Sequence, residues 1–250
     1  MNYAICIVSV SPLRSDKADS SEMISQLLFG ECCEVLEQVE NWWKVKCVYD
    51  NYEGWLDSKQ VMAIQNPIES EHLAFQLAHS CTYKDESIPL LLGSSLPAFD
   101  GMNFKIEKAK YIYNGKSLPT SLDNQSRLKK IAIKYLNAPY LWGGRSPFGI
   151  DCSGLTQMVY KFLGKKLPRD AYQQAELGSP LSFVAEAQLG DLAYFGKEEK
   201  ITHVGIVWED GQILHASGKV RLDVLDHMGI YNRETKKYTH QLKVIKRILK

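Results

Sequence analysis

The sequence predicts an α+β chain in which small β-barrel modules precede a domain of helices packed on an antiparallel sheet. Three observations predict it. From Met1 to about Ala63, short apolar runs alternate with turn residues, the spacing of a small barrel. Residues 139–164, PYLWGGRSPFGIDCSGLTQMVYKFLG, form a glycine- and proline-rich loop that runs into residues apolar at helical spacing. After Asp191 the chain turns to strands, two of them joined by the hairpin signal Glu209-Asp210-Gly211.

At 250 residues the chain holds one large domain or two to three small ones. It is 45% apolar and 24% charged, an ordinary globular composition. A net charge of +1 gives no sign of a nucleic-acid groove or a membrane surface, and no apolar run is long enough to span a membrane. The first ten residues are apolar but lack a basic stretch, and Pro12-Leu13-Arg14 follows where a small-residue cleavage site would stand. They read as a strand, and a cytoplasmic location is expected. Cys6, Cys32, Cys33, Cys47, Cys81 and Cys152 include no C-x-x-C pair, so free thiols are expected rather than a disulfide framework or a zinc site. No metal and no cofactor are expected.

Taken in order, the strands expected in the first module are Ile5–Val10, Leu27–Phe29, Glu34–Val39, Trp43–Tyr49 and Glu53–Leu56. The order PLR, SEMISQLLFGE, VLE, NWWKV, YEGWL resembles the bacterial SH3-like domain. Asn41-Trp42-Trp43-Lys44-Val45 and Tyr52-Glu53-Gly54-Trp55 stand at its W-x-K-V and Y-x-G-W signatures. Residues 1–63 are therefore expected to form one such domain. Residues 64–117, punctuated by Pro67, Pro89, Gly93, Pro97 and Gly101, are expected to form a second, degenerate one with edge strands at Phe104–Ile106 and Tyr111–Tyr113.

Residues 118–250 form the third expected domain. A helix is predicted from the capping residues Ser121-Leu122-Asp123-Asn124, with Leu128, Ile131, Ala132 and Tyr135 on its apolar face and Asn137 at its end. A second helix starts at Cys152, buries Leu155, Val159 and Phe162, and stops at Gly164. Most free cysteines are merely small buried residues. At a helix N-terminus, however, unpaired N–H groups and the helix dipole favour an anion, and a thiol so placed can fall from about 8.5 to roughly 3.5–7.5. Leu167-Pro168-Arg169-Asp170 leads into a further short helix closed by Gly178, and strands follow at 191–195, 201–208 and 212–216.

A three-residue loop at 209–211 would pair Trp208 with Gln212 and Gly205 with His215. His203 and His215 then become diagonal neighbours on one face, about 7–8 Å apart at the backbone. Such a pair could ligate a metal, although no nearby carboxylate or cysteine completes a set. It could equally be structural, or serve as a base and its orienting partner for a thiol nucleophile.

PYLWGG, SPFGIDCSGL, LPRDAYQQ, GDLAYF, HVGIVW and ILHASG follow one another as in the NlpC/p60 family of papain-like cell-wall peptidases, a resemblance that runs from about Ser121 to the end. It implies Cys152 as nucleophile, His203 as general base, His215 as the orienting third residue, and an oxyanion held by the Cys152 N–H and the Tyr140 hydroxyl. It further implies the substrate class, amides between γ-D-glutamyl and a diamino acid in peptidoglycan peptides. Asp151, Ser153 and Asp170 match positions that line the groove in relatives with SH3-like domains, where a free N-terminal L-Ala amine is bound. Tyr52 and Glu22 are the candidates for closing it from the first SH3-like domain. Ala171 departs from the serine those relatives carry. A monomeric enzyme that releases L-Ala-γ-D-Glu from short muropeptides during recycling is expected. A non-catalytic wall-peptide binder and an amidase or acyltransferase using the same three residues are the alternatives.

Overall fold

A computed structural model describes residues 2–120 and 125–249, and the chain divides into two compact units. Unit 1 comprises residues 1–121 with Trp142–Pro147; unit 2 comprises Leu122–Leu141 with Phe148–Lys250.

Unit 1 opens with β1 (Tyr3–Cys6), β2 (Val10–Arg14), β3 (Met23–Leu28), β4 (Cys32–Val39), β5 (Trp42–Cys47), β6 (Glu53–Asp57) and β7 (Val61–Ile64), in the order β3-β2-β6-β5-β4-β1-β7. The expected strand Ile5–Val10 is broken after Cys6, and β2 continues through Pro12. A proline normally disqualifies a central strand because it lacks an N–H. Here β2 meets β6 only at Arg14–Trp55, so Pro12 interrupts no ladder on that side. Alternate residues of the sheet, among them Ala4, Cys6, Leu13, Leu27, Cys33, Val45 and Leu56, form the first core.

The chain continues through β8 (His72–Ala74), β9 (Ala78–Tyr83), β10 (Glu86–Leu91), β11 (Asn103–Ile106), β12 (Ala109–Ile112) and β13 (Ser117–Pro119). Four of these form a sheet ordered β10-β9-β12-β11. The expected edge strand at 111–113 is thus an inner one, joined to β9 through Ile112–Thr82. Phe104 and Tyr111 stack across β11 and β12 at 4.8 Å, and Phe29 meets both edge-on at 5.7 Å. One core therefore runs from Ile5, Phe29 and Ile64 to Leu90, Phe104 and Tyr113, which makes residues 1–121 cohere as a unit. Gly30 (φ 78°) is required at this seam, because a Cβ there would lie 2.4 Å from the Ser95 carbonyl oxygen. The segment Trp142–Pro147, with β14 (Arg145–Ser146), is held in unit 1 by a buried bidentate pair, Arg145 to Glu31 at 2.7 and 3.0 Å.

Unit 2 contains α1 (Gln125–Ala132), β15 (Gly149–Ile150), α2 (Cys152–Phe162), α3 (Ala171–Gln174), β16 (Ser179–Pro180), β17 (Leu192–Lys197), β18 (Lys200–Val207), β19 (Gln212–Ser217), β20 (Lys219–Leu225), β21 (Gly229–Asn232) and β22 (Lys237–Arg247). The proposed caps Ser121–Asn124 lie outside the described residues. Leu128, Ile131, Ala132 and Tyr135 are fully buried as the periodicity requires, and Asn137 ends the helical run in the left-handed region (φ 66°). The sheet order is β16-β22-β17-β18-β19-β20-β21, with β22 also pairing β21. Strand dominates this unit more than helices laid on a sheet would suggest: α1, α2 and α3 have only 8, 11 and 4 residues. Among the described residues no helix is long and apolar enough to cross a membrane.

Candidate active site

Asp151 is extended (φ −94°, ψ 179°) and caps α2, its Oδ1 accepting the Gly154 N–H at 2.7 Å. The far end closes as a Schellman motif, with Lys165 N–H on the Tyr160 carbonyl, Gly164 N–H on the Lys161 carbonyl and Gly164 at φ 70°. Cys152 is thereby the first helical residue, 7% exposed. The backbone N–H groups of Val204 and Ser153 both act on its thiol, which places the sulfur against β18 at the residue that follows His203.

The β18–β19 hairpin has the register that a three-residue loop dictates. Gly205 faces His215 and Val207 faces Ile213, with Asp210 and Gly211 both at positive φ. His203 and His215 share one face: His203 Nε2 lies 2.9 Å from His215 Nδ1, with the rings at 86°. Gly205 makes room for this pair. A Cβ there would come within 3.0 Å of His215 Cβ and 2.7 Å of Ile213 Cδ1.

Three further residues escape the sequence reading. Asp223, on β20, lies 3.0 Å from His215 Nε2 and pairs with Arg221. The turn at Gly218 pairs His215 with Arg221 and Ile213 with Asp223, so strand parity could have found it. His240, on β22, stacks on His203 with ring centroids 4.0 Å apart. It arrives through a register shift in the β17–β22 ladder, for which the sequence carries no signal. Arg169 is buried and grips Asp151 at 2.5 and 3.0 Å and Ser153 Oγ at 2.8 Å.

Burial works against the thiolate that the helix N-terminus favours. Burial, and next the Asp151 charge, push the Cys152 thiol up to about 12 against smaller pulls from the Val204 N–H, Arg169 and the Ser153 N–H. Burial draws His203 well below the ordinary histidine value, aided by His240 and His215. Both shifts favour the uncharged forms, a neutral thiol and a neutral imidazole. Alkylation of Cys152 by iodoacetamide should accordingly be slow at pH 7 and rise about tenfold per pH unit through pH 9. A rate that is flat between pH 5 and 8, read by mass spectrometry of the labelled peptide, would restore the standing thiolate.

Tyr140 is about one-third exposed and is anchored by its N–H on the Gly218 carbonyl at 3.0 Å. Burial, then the nearby Cys152 and Asp151, raise its phenol to about 12, so it remains a proton donor. Asp151 and Ser153 are both buried, with the Asp151 charge matched by Arg169. Asp170 is half-buried and caps α3, its N–H donating to Gln173 Oε1 at 3.3 Å. In unit 1, Tyr52 is half-buried against the first core, and Glu22 Oε1 accepts from Trp142 Nε1 at 2.6 Å.

The ligating atoms of His203, His215 and His240 fall within 4.8 Å of one another. The stack of His203 on His240, 21° from parallel, nevertheless keeps their in-plane lone pairs from converging. An ion about 2.0 Å from one ring nitrogen and in that ring's plane lies well off the plane of the other. The geometry therefore suits proton handling better than coordination.

Residues 137–243, which hold this whole constellation, match the family model described as NlpC/P60 family, and residues 13–61 match the bacterial dipeptidyl-peptidase Sh3 domain. The chain carries an NlpC/P60 domain preceded by a bacterial SH3 domain. It is a hydrolase of the cysteine peptidase class. The chain is 29% identical over 214 residues to a γ-D-glutamyl-L-lysine dipeptidyl-peptidase of Bacillus subtilis, covering 77% of this chain and 71% of that one. It is 26% identical over 256 residues to dipeptidyl-peptidase 6 of Lysinibacillus sphaericus, covering 89% and 92%. A crystal structure of an NlpC/P60 family protein from Bacillus cereus superposes with a TM-score of 0.84 at 21% identity, covering 99% of this chain and 100% of that one. The architecture of both units is thus shared with that protein, while the roles of individual residues in the NlpC/P60 domain rest on their chemistry.

Proposed function

We propose that the protein is a cysteine endopeptidase that hydrolyses the amide between γ-D-glutamate and the following diamino acid in peptidoglycan peptides bearing a free N-terminal L-Ala, releasing L-Ala-γ-D-Glu. The observation that carries the reading is Cys152 at the leading end of α2, against the strand that brings His203 to its buried contact with His215. It stands in a chain whose likeness to a protein named γ-D-glutamyl-L-lysine dipeptidyl-peptidase covers 77% of its length.

In this reading His203 takes the Cys152 proton as the sulfur attacks the glutamyl carbonyl carbon, and the resulting oxyanion is held by the Tyr140 hydroxyl and the Cys152 N–H. The imidazolium then protonates the departing amine as the C–N bond breaks, leaving a thioester on Cys152. Water, deprotonated by the same imidazole, cleaves the thioester and regenerates the neutral pair. Because both partners start neutral, proton transfer accompanies attack instead of preceding it, and His215 steadies the charge that His203 acquires. On the substrate-amine side, Asp170 is the proposed carboxylate of unit 2; Asp151 and Ser153 act there indirectly, by fixing Cys152 and α2. In this reading residues 1–63, which hold Glu22 and Tyr52, are the first SH3-like domain, 64–117 its degenerate companion and 118–250 the peptidase domain.

Mass spectrometry of products from L-Ala-γ-D-Glu-diamino acid peptides tests the reading. A dipeptide product from the free peptide is expected, with turnover at least about tenfold lower when the L-Ala amine is acetylated, the loss of one charge-assisted contact. A product in which the L-Ala-γ-D-Glu acyl group is joined to an added amine instead of water would make the protein an acyltransferase. Ammonia released only from a peptide that carries a carboxamide, with the γ-glutamyl bond left intact, would make it an amidase. Equal rates on both peptides would remove the free-amine requirement.

A further inference from the structure

His215 has both ring nitrogens engaged: Nδ1 lies 2.9 Å from His203 Nε2, and Nε2 lies 3.0 Å from Asp223 Oδ2. Asp223 and His215 are almost fully buried, so no water competes for these positions. Arg221 lies over the carboxylate, with Nη2 donating to Oδ1 at 3.1 Å and Nε 2.9 Å from Oδ2. Burial by itself would raise the Asp223 carboxyl. The hydrogen bonds from His215 and Arg221 outweigh it and hold the group below the usual carboxylate range.

An ionised carboxylate accepts hydrogen bonds and cannot donate them. His215 Nε2 must therefore carry a proton, and in the neutral ring Nδ1 is then bare. A bare Nδ1 can only accept, so His203 Nε2 must be the donor across the 2.9 Å contact. In neutral His203 the remaining nitrogen, Nδ1, is left with its lone pair. We propose that Asp223 is a positioning residue that acts through His215 to fix the proton of His203 on Nε2, leaving Nδ1 as the basic nitrogen for the Cys152 thiol. The inference rests on the reading of Cys152 and His203 as nucleophile and base, but the tautomer itself is observable without any turnover.

Asp223→Asn separates this role from simple packing, since the shape is kept and the charge is lost. The aligned Arg221 Nη2 donor calls for an oxygen at the Oδ1 position, which leaves the amide NH2 facing His215 Nε2. His215 then accepts at Nε2, carries its proton on Nδ1, and donates to His203 Nε2, so His203 is protonated on Nδ1 and has no lone pair there. Nitrogen-15 spectra of histidine-labelled protein, with the His203 signals identified by their loss in His203→Asn, read the tautomer directly. The wild type should show His203 protonated on Nε2 and bare at Nδ1. Asp223→Asn should move the proton to Nδ1 and lower kcat about 100-fold with little change in KM. This is less than the roughly 10⁴-fold loss seen where a carboxylate touches the base itself, because one ring intervenes here. Asp223→Glu, which keeps an anionic acceptor, should retain the wild-type tautomer.

A wild-type spectrum with His203 protonated on Nδ1 overturns the proposal before any variant is made. So does an Asp223→Asn protein that keeps both the tautomer and kcat within about twofold of wild type, a change too small for lost tautomer control. If Cys152→Ala still hydrolyses the peptide, the nucleophile assignment falls instead, and the tautomer result is unaffected.

Discussion

Cys152→Ala should hydrolyse γ-D-glutamyl peptides at least about 10⁴-fold more slowly than wild type, the scale on which loss of a nucleophile acts. Its fold should remain intact. The residue occupies the first turn of α2, where alanine is a strong helix former, and only one buried sulfur is removed, at a cost of about 1 kcal/mol. Cys152→Ser should be nearly as inactive. A hydroxyl is a far weaker acid than a thiol, and the burial that already pushes Cys152 up to about 12 acts on it as well. An imidazole held well below its ordinary value is too weak a base to compensate. The control is Cys81→Ala in unit 1, a buried free cysteine far along the sequence that should leave turnover unchanged. Product quantification by mass spectrometry, alongside thermal melts of each variant, decides the matter. Turnover retained in Cys152→Ala at its wild-type level would mean that another group attacks the carbonyl.

What the sequence made legible follows from how local each signal is. The cap at Asp151, the stop at Gly164 and the apolar spacing between them lie within fourteen residues, and α2 follows from them. The 2.9 Å contact between His203 and His215 likewise follows from one loop length, because a three-residue turn fixes strand parity. Asp223 needed a second turn to be placed at Gly218 before its parity meant anything. His240 depends on an irregularity in the ladder between β17 and β22, and Arg169 on a buried partner that only the tertiary fold supplies. The charge state of the site was the least legible feature. A helix N-terminus is visible in the sequence and favours an anion, whereas the burial that opposes it comes from residues distant in the chain. The same contrast holds in unit 1, where the expected strand at 5–10 ends at Cys6 and the next one runs through Pro12.

Arg169→Met should destabilise the protein by about 3–5 kcal/mol, the usual consequence of removing one partner from a buried ion pair. The Arg169 guanidinium and the Asp151 carboxylate are almost wholly buried, with side-chain exposures of 2% and 7%. Without the guanidinium, Asp151 loses its charged partner, and neutral donors such as the Gly154 N–H at 2.7 Å and the Ser153 hydroxyl at 3.3 Å offset less of the cost of burying its charge. Because Asp151 caps α2, the loss falls on the turn that positions Cys152, and kcat should fall along with stability. Asp151→Asn in the same chain removes the stranded charge while leaving an oxygen for the Gly154 N–H, so the double variant should recover a substantial part of the loss. Urea denaturation of the two single variants and the double variant measures the coupling. A midpoint for Arg169→Met within experimental error of wild type, or a double variant no more stable than Arg169→Met, would show that the pair does not hold the leading end of α2 and that Cys152 is positioned by packing alone.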